Sequence, residues 1–99
     1  MDSILNTQRG ICYQCLKEGK WAEKGTQRHH VLHGTGRRRI AEKLGLVVYL
    51  CPEHHQGTNG VHGKNGHELD VELKQDAQRA FEELYGHSEW MRKVGENFL

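Results

Sequence analysis

Three Cys and eight His carry most of the reactive chemistry of this 99-residue chain, and their spacing sorts them into two groups. Cys12 and Cys15 are separated by two residues, and Cys51 and His54 repeat that spacing with an imidazole in the last place. Thiolates at this spacing can face one ion, and a second pair completes a tetrahedral Cys3His site of the structural zinc kind. His55 is the alternative fourth ligand; neighbours on a helix point about 100° apart, so one ion takes one of the two and the other aims elsewhere. An odd number of thiols leaves one stranded in any disulfide framework, which favours zinc. The second group is His29 and His30, then His55, then His62, and six of the eight His fall between positions 29 and 62. Neighbours on an extended segment diverge, so His29 and His30 take separate roles. One suits a second metal, the other a general base on water, because imidazole titrates near neutrality. The competing readings are plainer: His29, His30 and His33 as exposed loop residues, or Cys12 and Cys15 as a redox pair. A thioredoxin-like pair needs a βαβ setting that this sequence lacks.

The composition limits the scaffold that positions these groups. Hydrophobic residues make up 35% of the chain and aromatic residues 7%, with a mean hydropathy of −0.81, so the core is thin. A chain of this size buries only roughly 60 to 65% of its unfolded surface and usually needs a staple. The expectation is one α+β domain over 1–99, divided into a metal-bearing part (8–66) and two C-terminal helices (67–99). Within the first part, 8–30 reads as a Gly-punctuated zinc knuckle, 28–32 as extended, and 33–36 as a break. Residues 40–44 suit a helical turn stopped at Gly45, and 46–50 form the clearest strand, apolar and partly β-branched. Pro52 suits the first position of a short helix that carries Glu53, His54 and His55 until Gly57. A Gly- and Asn-rich loop follows over 57–66. Leu69, Leu73, Ala77, Ala80, Phe81 and Leu84 then recur at helical spacing up to Gly86. A last helix over 88–97 offers Trp90, Met91, Val94 and Phe98 for packing. These two helices are expected to supply most of the core.

The net charge of +1 hides an asymmetry. Residues 1–66 hold ten Lys and Arg against five acids, whereas 67–99 hold four against eight. A basic half that also contains the Cys and His groups points to an anionic partner, with the acidic half read as solvated helix surface. No stretch approaches the roughly 18 apolar residues of a membrane span, and the N-terminal residues do not resemble a signal peptide. The expectation is a reducing cytosol, where thiols stay available for metal.

Arg28-His29-His30-Val31 followed by Leu50-Cys51-Pro52-Glu53-His54-His55 resembles the HNH endonucleases, and most closely their small phage-borne members, including recombination-enhancement nucleases. The likeness spans about 12–62. It implies a ββα-metal fold, metal-dependent hydrolysis of DNA phosphodiester bonds in recombination or processing, and location in a bacterial host cell. It also implies residue roles. Cys12, Cys15, Cys51 and His54 would form the structural Zn2+ site; His29, His55 and His62 would bind a catalytic Mg2+, Mn2+, Ni2+ or Zn2+; and His30 would be the general base. Arg37, Arg38 and Arg39, expected in the loop after the His strand, would hold DNA phosphates, with Lys17, Lys20 and Lys24 as the alternative contact surface. Many members carry Asn five residues before the motif Cys to orient the base. Leu46 stands there in this chain, so another group, such as a backbone carbonyl, must orient His30. The family position for the last metal ligand is Asn59, but imidazole is the commoner ligand and favours His62. A zinc module that binds nucleic acid or protein without catalysis is the other class, and it expects one tightly bound zinc per chain.

Overall fold

The computed structural model describes residues 3–20, 25–34, 36–58 and 60–99; Lys24, Thr35 and Asn59 lie outside them. Among the described residues seven elements follow one another: α1 (Tyr13–Lys17), β1 (Gln27–His30), α2 (Arg37–Leu44), β2 (Val47–Leu50), α3 (Pro52–His55), α4 (His67–Tyr85) and α5 (His87–Lys93). This is a small α+β unit in which helices surround a two-stranded antiparallel sheet.

The sheet pairs His29 with Val48 and His30 with Val47. Successive side chains on a strand point to opposite faces, so Gln27 and His29 share one face while Arg28 and His30 share the other. The strands are not joined by a tight turn. Their connection contains α2, which begins three residues before the expected helical turn and stops at Gly45. Arg37, Arg38 and Arg39 therefore form the first turn of a helix rather than a loop. Cys12 caps α1, its sulfur 3.4 Å from the Cys15 N–H, so the knuckle closes on a short helix. Pro52 opens α3, as its fixed φ favours.

The core differs from expectation in where it comes from. Val31, Leu32, Ala41, Leu46, Val48, Leu50 and Val61 are buried with the three Cys, whereas the C-terminal helices contribute Leu73, Ala77, Phe81 and Trp90. The metal-bearing part thus supplies the larger share. Leu84, at 59% exposure, falls off the buried stripe of α4, and Met91 is also exposed. Helix α5 ends at Lys93. The following tail is pinned by the buried Gln78, whose amide donates to Asn97 and accepts from the Phe98 N–H. The acidic face of α4 is not merely solvated: Asp76 accepts from Tyr13 at 2.9 Å, and Lys17 reaches both Glu72 and Asp76. Among the described residues no helix is long and apolar enough to cross a membrane.

Candidate metal centres

Helix α1 brings Cys12 and Cys15, and α3 with the residue before it brings Cys51 and His54, so that their four ligand atoms lie within 4.8 Å of one another. The His54 Nδ1 is 3.4 Å from each of the three Sγ atoms, and the Cys15 and Cys51 sulfurs are 3.8 Å apart. A tetrahedral ion with Zn–S bonds of about 2.3 Å sets two sulfurs about 3.8 Å apart and a sulfur and an imidazole nitrogen about 3.6 Å apart. The donor set therefore matches zinc in both chemistry and spacing. The electrostatics show how closely the thiols act on one another. Burial pushes the Cys15 thiol up to about 11, with Cys12 and Cys51 adding to the shift, because neighbouring thiolates repel. Burial alone would also raise Cys12, but the backbone N–H groups of Cys51 and Cys15 and hydrogen bonds from both neighbouring thiols outweigh it and favour its thiolate. Glu18 lies 3.3 Å from the His54 Nε2, and this outer contact leaves Nδ1 as the ligand atom.

The neighbouring His55 points away from this site. Its Nδ1 is 2.6 Å from the Gln27 Oε1; the amide oxygen accepts, so Nε2 is left with a lone pair. His29, on the same face of β1 as Gln27, is buried, and its Nε2 has no hydrogen-bond partner among the described residues. A buried polar atom without a partner needs an explanation, and the explanation lies in what surrounds it. The ligand atoms of His29, His55 and His62 lie within 4.8 Å of one another. The surroundings of all three favour the neutral imidazole, the form that binds metal. Burial first and then His55 and His62 depress His29 to about 3, and burial also lowers His55 and His62.

His62 reaches this group because the loop after α3 folds back. The His62 N–H donates to the His55 carbonyl at 3.0 Å, and the Val61 N–H to the His54 carbonyl at 2.9 Å. Two glycines make that approach possible. A Cβ on Gly60 would stand 2.7 Å from the Glu53 carbonyl oxygen, and one on Gly63 would overlap the Gly57 carbonyl, so no larger residue fits this path. Asn59, the rival ligand, lies outside the described residues. His62→Ala should raise the concentration of divalent ion needed to fill the second site by about tenfold to a hundredfold. Calorimetric titration of zinc-loaded protein checks this, and an unchanged affinity would remove His62 from the site.

No protein family model, curated protein or solved structure matches the chain. The functional reading accordingly rests on the geometry of the two centres.

Around the three imidazoles runs a cleft that also includes His30, His33 and Arg38. Sequence reasoning missed three supporting groups. His33, read as a break residue, donates through Nε2 to Asp70 of α4 at 2.9 Å. Lys74 and His33 hold the Asp70 carboxyl low against the opposing effect of burial. Gln27 orients His55. Glu42 of α2 lies 2.6 Å from the His30 Nε2, and hydrogen bonds from Arg28 and then His30 keep its carboxyl below the usual range. Only the strand alternation that puts Gln27 beside His29 was a usable signal. Of the three arginines, Arg38 and Arg39 border His30, whereas Arg37 is committed to Glu96 at 2.8 Å. On the knuckle, Lys17 and Lys20 are paired with acids.

Proposed function

We propose that the chain is a metal-dependent endonuclease of the HNH kind that hydrolyses DNA phosphodiester bonds, with β1, β2 and α3 as its ββα-metal core. The phage-borne setting in recombination or processing that the motifs imply belongs to the same proposal. The observation that carries it is the meeting of His29 from β1, His55 from α3 and His62 from the returning loop, next to His30 and Arg38. Two neighbours on one strand thus serve two purposes: His29 turns inward to the imidazole cluster and His30 turns toward α2.

His29, His55 and His62 would hold the divalent ion, which when bound supplies charge stabilisation at the scissile phosphate and the leaving 3′ oxygen. His30 accepts a proton from the attacking water. Arg38 and Arg39, on the first turn of α2, hold the phosphates flanking the scissile bond. Cys12, Cys15, Cys51 and His54 with their zinc fix α3 and so the position of His55.

The test is to incubate zinc-loaded protein with supercoiled, linear, single-stranded and branched DNA and with RNA, adding Mg2+, Mn2+, Ni2+ or Zn2+. Metal-dependent cleavage of DNA is expected. No cleavage under any of these conditions, with a single zinc bound per chain, would replace the nuclease with a non-catalytic zinc module. A second result is expected from the basic helix. Arg38→Ala with Arg39→Ala should flatten the salt dependence of duplex binding by roughly 0.9 for each phosphate that is no longer neutralised, and Arg37→Ala should change it less. A wild-type slope in both variants would place the phosphate-binding surface away from α2.

A further inference from the structure

Position 46, where the HNH pattern places an orienting Asn, is a fully buried Leu, and its carbonyl is occupied by the Val31 N–H at 2.9 Å. His30 is oriented instead by a carboxylate. The Glu42 Oε2 lies 2.6 Å from the His30 Nε2; an ionised carboxylate can only accept, so Nε2 carries the hydrogen and Nδ1 has the free lone pair. Glu42 is itself held from the other side. Arg28 donates through Nε to Oε2 at 3.3 Å and through Nη2 to Oε1 at 2.8 Å, and its Nη1 donates to the Tyr49 hydroxyl at 3.0 Å. Strand alternation puts Arg28 and His30 on one face, so β1 brings both to the carboxylate of α2, and the register puts Tyr49 of β2 opposite Arg28, where it braces the guanidinium. His30 borders Glu42 on one side and the cleft of the three imidazoles on the other.

We infer that Glu42 is the positioning residue for His30: its carboxylate fixes the ring with Nε2–H directed at α2 and leaves Nδ1 as the nitrogen that takes a proton from water. The inference rests on the nuclease reading for its chemical role. As the water O–H bond breaks, Nδ1 gains the proton and the water oxygen bonds to phosphorus. The bond from phosphorus to the 3′ oxygen breaks, the leaving oxygen is protonated by solvent, and His30 returns its proton to solvent. Glu42 holds the charge of the transient imidazolium, as orienting carboxylates do for histidine bases elsewhere.

Glu42 lies on the exposed side of α2, and alanine is the best helix former, so Glu42→Ala should fold normally with its zinc. Two readouts decide. In long-range 1H–15N spectra the zinc-loaded wild type should show a slowly exchanging, downfield His30 Nε2–H that Glu42→Ala loses. In cleavage assays Glu42→Ala should lower kcat about tenfold to a hundredfold, with KM and the half-maximal metal concentration unchanged, and Glu42→Asp should recover part of it. A wild-type ring with its hydrogen on Nδ1, or a Glu42→Ala variant with unchanged kcat, overturns the inference while leaving the nuclease reading intact. If the wild type cleaves nothing, the nuclease reading falls, and the spectra alone decide whether Glu42 holds the ring.

Discussion

Cys12→Ser should unfold the domain or lower its melting temperature by tens of degrees, and chelation of zinc from the wild type should do the same. Ser is among the best N-cap residues, so the start of α1 keeps its cap and the damage falls on the metal site. That site joins α1 to α3, an element of four residues too short to persist alone. Structural zinc contributes about 10 kcal/mol or more of apparent binding energy at neutral pH, as much as the entire stability of a typical domain. The buried apolar cluster closes around Cys12, Cys15 and Cys51, so removing one ligand leaves unpaired sulfur inside it. Release of α3 also frees His55, and the second metal site should disappear together with the first. Far-UV circular dichroism, thermal melting and bound zinc are the measurements. A Cys12→Ser variant with the wild-type melting temperature would falsify the structural role of the four-residue site.

The parts of this architecture legible in the sequence are those set by local spacing. The two x-x separations place Cys12, Cys15, Cys51 and His54 in one centre because each pair lies on a single turn. The apolar run ending at Leu50 could only be a strand, and Pro52 and Gly86 mark helix boundaries by their own backbone preferences. What was not legible depends on how distant segments meet. Arg37 to Arg39 lack the apolar periodicity that announces a helix, and α2 forms because Ile40, Ala41 and Leu44 pack on the core. The buried stripe of α4 ends at Phe81 because Trp90 of α5 covers that ring at 5.5 Å, leaving Leu84 outside. Glu42, twelve residues after His30 on another element, has no sequence signature as its partner. The return of His62 was suggested by the glycines, whereas the carbonyls they approach are known only from the fold.

His30→Ala should reduce cleavage by about a hundredfold to ten-thousandfold, the usual range for removing a general base, while leaving folding, zinc content and DNA binding as they were. Each half of that expectation has a separate cause. The His30 side chain meets Glu42 outside the apolar cluster, and its backbone pairing with Val47 is retained by Ala, so stability is little affected. It belongs to neither metal group found among the described residues, so on the nuclease reading both ions should stay and α2 should still hold the phosphates. Single-turnover cleavage, zinc analysis and fluorescence anisotropy with labelled duplex read the three properties independently. Because Glu42 acts only through His30, adding Glu42→Ala to His30→Ala should cost nothing further, the non-additivity expected of groups that work as one unit. Loss of cleavage together with loss of zinc would make His30 structural. Full activity would pass the role of base to His33, which lines the same cleft and is backed in the same way by Asp70.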